Sequence, residues 1–153
     1  MSLARELKKR GPFDSVQQEA TLALMRTTDL LTNRIARLLR QHDLTLTQYN
    51  VLRILRGEGQ PLPVSEIAER MIQVAPAVTR VVDQLVASGL AVKNQSDSDR
   101  RVFRVEITAE AKRLLRRLDQ PILTLHEDLL RGIDDQESRR LITTLEKIRE
   151  SIA

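Results

Sequence analysis

The chain holds its most specific chemistry in the stretch APAVTRVVDQLVASGLAVKNQSDSDRR, residues 75–101. Arg80 sits among apolar residues at helical spacing, and Arg100 and Arg101 close a polar run that begins at Asn94. A guanidinium is a permanently charged planar fork. It pairs with a phosphate, or bonds two acceptors on one base edge. The spacing predicts a helix from Pro76 to Ser88, backed by Val78, Val81, Val82 and Leu85. Pro76 suits the first turn and Gly89 the residue just past the end. Ala77, Arg80, Gln84 and Ala87 then fall on the outer side, with Thr79 and Asp83 near its edges. That face is either merely solvated or kept small for a close partner. The reading favoured here is a recognition helix for the DNA major groove, followed by a polar hairpin, a wing, for the minor groove.

Each candidate has a physical reason. Arg80 can bond guanine O6 and N7, or a phosphate. Thr79 can reach a phosphate or a base edge. Pro76 and Ala77 stand where helix N–H groups and the helix dipole attract phosphate. Ala75 cannot cap as Ser or Asp would, so the helix start lacks a side-chain cap there. Val74 and Ala75 offer methyl contacts to thymine instead. Asp83 is expected to pair with Arg80 one turn away, or with another basic side chain. Ser65 and Gln73 flank the preceding helix and are phosphate-contact candidates.

Composition excludes several other chemistries. The absence of cysteine rules out disulfides, thiol redox sensing and Cys-ligated zinc. The two histidines occur as His42 beside Asp43 and as His126 beside Glu127 and Asp128, too far apart in sequence to suggest a metal site. No glycine-rich phosphate loop or His-based constellation stands out, so no catalysis and no cofactor are expected. Phe13, Tyr49 and Phe103 are too few for the stacking platforms that grip single strands. No apolar run approaches a membrane span and MSLARELKKR lacks the apolar middle of a signal peptide, so a cytoplasmic protein is expected. Net charge is +4, but residues 61–108 hold six Lys/Arg against six Asp/Glu. DNA binding must therefore rest on where a few arginines sit rather than on bulk charge.

The positioning elements read as mainly α with a small β-wing. Residues 1–14 are expected to be loosely ordered, with Gly11-Pro12 breaking any helix. A long helix over 15–41 is apolar on more than one stripe, as for a helix buried on two sides. Thr45 or Thr47 caps a second helix, stopped by the glycines at 57 and 59. Residues 61–63 are extended, and Val64–Ile72 forms a two-turn helix. Strands are expected over 90–93 and 102–107. Thr108 caps a long helix over 109–131, which Pro121 should kink or end. Asp134 and Glu137 resemble a capping box for a last helix carrying Leu141, Leu145, Ile148 and Ile152.

Four segments in this order carry a resemblance: LTLTQYNVLRIL (44–55), VSEIAERM (64–71), APAVTRVVDQLVASGLAV (75–92) and DSDRRVFRVEIT (97–108). With them the chain resembles the MarR family of winged helix-turn-helix regulators. The resemblance implies a winged module over 44–108, an N-terminal arm and dimerisation helix over 1–43, and C-terminal dimerisation helices over 109–153. It implies a homodimer on double-stranded DNA, with recognition helices in successive major grooves of a pseudo-palindrome, roughly 34–36 Å apart. Many members repress transcription and are released by small aromatic or phenolic ligands, metals or oxidants. The family's Asp-x-Arg wing pattern falls on Asp99, Arg100 and Arg101. There Asp99 orients Arg101 into the minor groove, whose negative potential favours a guanidinium. Arg100 takes a phosphate. Lys93 stands where the family often has arginine, keeping the charge but losing the fork. For a ligand pocket between dimer base and reading module, the candidates are Met25, Asp29, His42, Tyr49 and Arg53. Alternatives are a low-specificity architectural DNA-binding protein and a helical protein–protein adaptor.

Overall fold

The computed structural model describes residues 2–73, 77–95 and 103–152. The chain divides into two compact units, Met1–Tyr49 and Asn50–Ala153.

The first unit is helical. Helix α1 (Leu3–Glu6) forms one turn where loose order was expected. Local bonds explain it: Leu7 N–H donates to Leu3 O and Lys9 N–H to Ala4 O, both at 2.9 Å. Gly11, at φ +140°, still breaks the chain there. Helix α2 (Val16–Arg40) starts at Ser15, whose hydroxyl accepts from Gln18 N–H at 3.0 Å. It turns out through Asp43 at φ +56°, a left-handed position that aspartate tolerates. Helix α3 (Leu46–Glu58) opens on a capping box. Gln48 N–H donates to Thr45 Oγ1 at 3.1 Å, and Thr45 N–H donates to Gln48 Oε1 at 3.0 Å. Gly57 stays helical; the stop falls to Gly59 at φ +75°.

In the second unit, the rest of α3 contributes buried Val51, Leu52, Ile54 and Leu55. Residues 62–63 are more than extended: Leu62–Pro63 is strand β1, pairing Leu62 with Val105 and Pro63 with Arg104. Proline is tolerated because β1 is an edge of the sheet. The Arg104 guanidinium also donates to Pro61 O at 3.2 Å. Helix α4 (Val64–Glu69) is shorter than expected, and Ile72 beyond it is 78% exposed. With no core above Ile72, the apolar pattern there had no burial to sustain the helix.

Helix α5 (Val78–Ala87) leads to strands β2 (Ala91–Gln95) and β3 (Phe103–Ile107). The antiparallel sheet runs β1–β3–β2. Asn94 and Gln95, expected in the hairpin loop, instead pair with Arg104 and Phe103. Helix α6 (Ala109–Leu130) follows Thr108, whose Oγ1 accepts from Ala111 N–H at 3.2 Å. It runs through Pro121 without ending there. The lost N–H bond costs a few kcal/mol, about 3 in a typical helix interior. Leu118 and Ile122 on either side are buried, and that burial offsets it. A bidentate pair from Arg56 to Asp119, at 3.0 and 2.8 Å, ties α6 to α3. Helix α7 (Asp135–Ile152) opens on the Asp134–Glu137 capping box, with bonds of 2.9 and 2.8 Å.

Candidate nucleic-acid interface

Helix α5 is built from β-branched residues of indifferent helix propensity, so packing must hold it. Val78, Val82 and Leu85 are buried along one side, each contributing about 1.5–3 kcal/mol by the usual scale. The helix starts at Val78, with Ala77 in the capping position at φ −138°, ψ 43°. Ala77 has no side-chain acceptor, so the start lacks a side-chain cap from this residue as well as from Ala75. Pro76, expected as the first helical residue, lies outside the described residues.

The far end is closed by a Schellman motif. Gly89 takes the left-handed conformation at φ +73°. Leu90 N–H donates to Leu85 O at 2.9 Å, and Gly89 N–H donates to Val86 O at 3.0 Å. Thr108 then straps the base of the hairpin to this turn. Its hydroxyl donates to Gly89 O at 2.9 Å and its N–H to Leu90 O at 3.2 Å. The hairpin therefore leaves α5 from a fixed point.

Opposite the buried side, Ala77, Thr79, Arg80, Asp83 and Gln84 are exposed. The structure thus brings the candidates Ala77, Thr79 and Arg80 together on the first turn of α5. Among the described residues none pairs with the Arg80 guanidinium. Asp83 turns from Arg80 to the other option, a different basic side chain: its Oδ1 lies 3.0 Å from Lys93 Nζ on β2. Ser65 is exposed on the first turn of α4, and Gln73 is exposed between α4 and α5. The wing candidates Asp99, Arg100 and Arg101 lie outside the described residues.

Two side chains that the sequence reading did not assign to the site belong to its frame. The Phe103 ring lies beneath Lys93 Nζ, which is 5.1 Å from the ring centroid. Arg104 anchors β3 to the segment before β1. Strand parity carried the signal for Phe103, which alternates in register with buried Val105 and Ile107.

The ligand candidates are distributed over both units. Met25 is 64% exposed on α2, and Asp29, one turn on, is also exposed. His42 and Tyr49 are half-buried. Arg53, one turn beyond Tyr49, is exposed and donates to Oδ1 of the buried Asn50 at 3.3 Å. Among the described residues no group of three or more His, Asp or Glu is placed to hold a metal ion. No described helix is long and apolar enough to cross a membrane.

Among the described residues, Glu58 at the end of α3 and Arg70 after α4 form a pair with displaced proton equilibria. Hydrogen bonds from Gln60 and Arg70 hold the Glu58 carboxyl below its ordinary range. The same contact, at 2.6 Å, raises Arg70.

Comparison with known proteins agrees with this geometry. The MarR family model matches residues 44–103. A crystal structure of a MarR transcription factor from Planctomyces limnophilus is 34% identical, covering 88% of this chain and 98% of that one, at TM-score 0.69. The crystal structure of the S. aureus MepR–DNA complex shares the fold at 18% identity, covering 86% of this chain and 96% of that one, at TM-score 0.77. So does Bordetella bronchiseptica BpsR, whose DNA binding is regulated by 6-hydroxynicotinic acid, at 19% identity, 86% and 98% coverage, and TM-score 0.77. At 34% identity over 88% of its own length and nearly all of the Planctomyces limnophilus factor, the protein belongs to the MarR family of transcriptional regulators.

Proposed function

We propose that the protein is a homodimeric, sequence-specific regulator that binds a pseudo-palindromic duplex and represses transcription until a small aromatic or phenolic ligand releases it. One observation carries the DNA-reading part: α5 turns Ala77, Thr79 and Arg80 outward together, directly before a hairpin strapped to its end. In this reading Arg80 and Thr79 contact base edges or phosphates. The helix start at Pro76 and Ala77, through the free backbone N–H groups of its first turn, holds phosphate together with Ser65 and Gln73. Arg101, braced by Asp99, enters the minor groove, and Arg100 takes a phosphate. The S. aureus relative bound to DNA supports that partner.

Homodimerisation is supported by exposed apolar residues on α2, among them Leu22, Met25 and Leu30, and on α7. In this reading residues 1–43 and 109–153 form the dimer base and residues 44–108 the reading module. Ligand release is supported by the Bordetella bronchiseptica relative. Met25, Asp29, His42, Tyr49 and Arg53 are the residues proposed to respond.

Selection of bound sites from a random duplex pool tests this function. Recovery of a pseudo-palindrome is expected. Equal affinity for recovered and random duplex would favour an architectural role, and no duplex binding at low salt would favour a protein–protein adaptor.

A further inference from the structure

Strand register places Ala91, Lys93 and Gln95 of β2 on the same face of the sheet as Phe103, Val105 and Ile107 of β3. Ala91, Val105 and Ile107 are buried, so this face covers the core. Lys93 sits directly opposite Val105, which makes a cation one of the inward positions. A lysine there keeps its stem against apolar surface and carries its ammonium outward. The ammonium ends 3.0 Å from Asp83 Oδ1 on α5 and 5.1 Å from the Phe103 ring centroid. Phe103 is the diagonal cross-strand neighbour of Lys93, within reach of a long side chain. Its ring, in a residue 40% exposed, lies towards the hairpin's outer end, past the buried Val105. One charge thus joins α5, β2 and β3.

We propose that Lys93 is a positioning residue that fixes the angle between α5 and the β2–β3 hairpin, and thereby sets how well the protein discriminates its operator from other duplex. The inference rests on the DNA-reading role proposed above. At the base of the hairpin, Thr108 already holds the backbone to Gly89 and Leu90. Lys93 adds a tie farther out, where a small angular change moves the outer hairpin most. Two elements that must meet two grooves at once lose affinity if their mutual angle has to be ordered on binding. Random duplex makes a weaker demand, because phosphate contacts alone hold the protein to it. Loss of the tie should therefore weaken operator binding more than random binding. The ion pair and the ring contact are each modest at a partly exposed site; together they suit an effect of about tenfold.

The test uses the full chain, a duplex recovered by the wild type from a random pool, and a scrambled duplex of equal length, all at one salt concentration. Lys93→Met keeps the stem and removes the charge. Its ratio of recovered-duplex to scrambled-duplex affinity is expected to fall about tenfold, and that of Lys93→Arg to stay within about twofold of wild type. Phe103→Leu keeps the ion pair and should lower the ratio about threefold, a second reading if Lys93→Met does not fold. A merely stabilising role for Lys93 would lower the melting temperature and weaken both duplexes in proportion. An unchanged ratio in Lys93→Met or Phe103→Leu, beside a wild type that discriminates, would overturn this inference and leave the proposed function standing. A wild type that does not discriminate would overturn both.

Discussion

Helices α5 and α7 are both amphipathic, yet one is satisfied within the chain and the other is not. Over ten residues α5 buries Val78, Val82 and Leu85 and turns small or polar side chains outward. Over 18 residues α7 buries none, and Leu141, Ile142, Ile148 and Ile152 remain exposed. The apolar side of α5 has its partner already, so what it offers is hydrogen bonding and charge. The apolar side of α7 offers area to be removed from water. The difference fits the two roles proposed above, polar recognition on α5 and self-association through α7.

Substitutions on the two helices should separate these roles. The largest effect is expected from Leu85→Ala, which opens a cavity beneath α5. Unfolding free energy should drop by about 2–5 kcal/mol in denaturant titration. A drop below about 1 kcal/mol would mean that α5 is held by something other than its buried side. Next comes Ile148→Glu on α7. It removes no buried contact within the chain, so the melting of the isolated monomer should barely move. Dimer dissociation measured by sedimentation should become easier by about 30-fold or more if α7 lies at the centre of the interface. An unchanged association constant would detach α7 from self-association.

The smallest effect concerns pH. Because Glu58 is held below its ordinary range in the folded state, its contribution is present above that range and is lost as pH falls through the folded value. Glu58→Gln should flatten part of the acid-side fall in melting temperature and change nothing at neutral pH beyond the loss of the Arg70 pair. An acid limb identical in wild type and variant would show that this carboxyl does not contribute to it.

Legibility followed the range of the forces involved. Caps at Thr45, Thr108 and Asp134, and the glycine stop at Gly89, are local chemistry and could be read directly, whereas the Ser15 cap was not singled out. The inward stripe of α5 was legible because period 3.6 burial leaves a period 3.6 pattern. Strand β1 was not, because Leu62–Pro63 is two residues long and exists only through its pairing with Val105 and Arg104, more than forty positions away. That the helix continues past Pro121 rather than ending there was hidden for a similar reason: the local cost was visible, while the packing of Leu118 and Ile122 that offsets it was not. At the site, Arg80 was readable from its place on the outer stripe. The choice of Lys93 over Arg80 as the partner of Asp83 was not, since it depends on how β2 packs beside α5.

The outward face of α5 as a DNA-reading surface is the central claim, and Arg80 tests it most directly. Affinity for a duplex recovered from the random pool should be measured for wild type and Arg80→Ala at the same salt concentration, with the dimer verified in both. A bidentate base contact predicts a loss of about 1–3 kcal/mol, or roughly fivefold to 150-fold, with relaxed preference at one base position in each half-site. Equal affinity and equal preference in the two proteins would contradict the account.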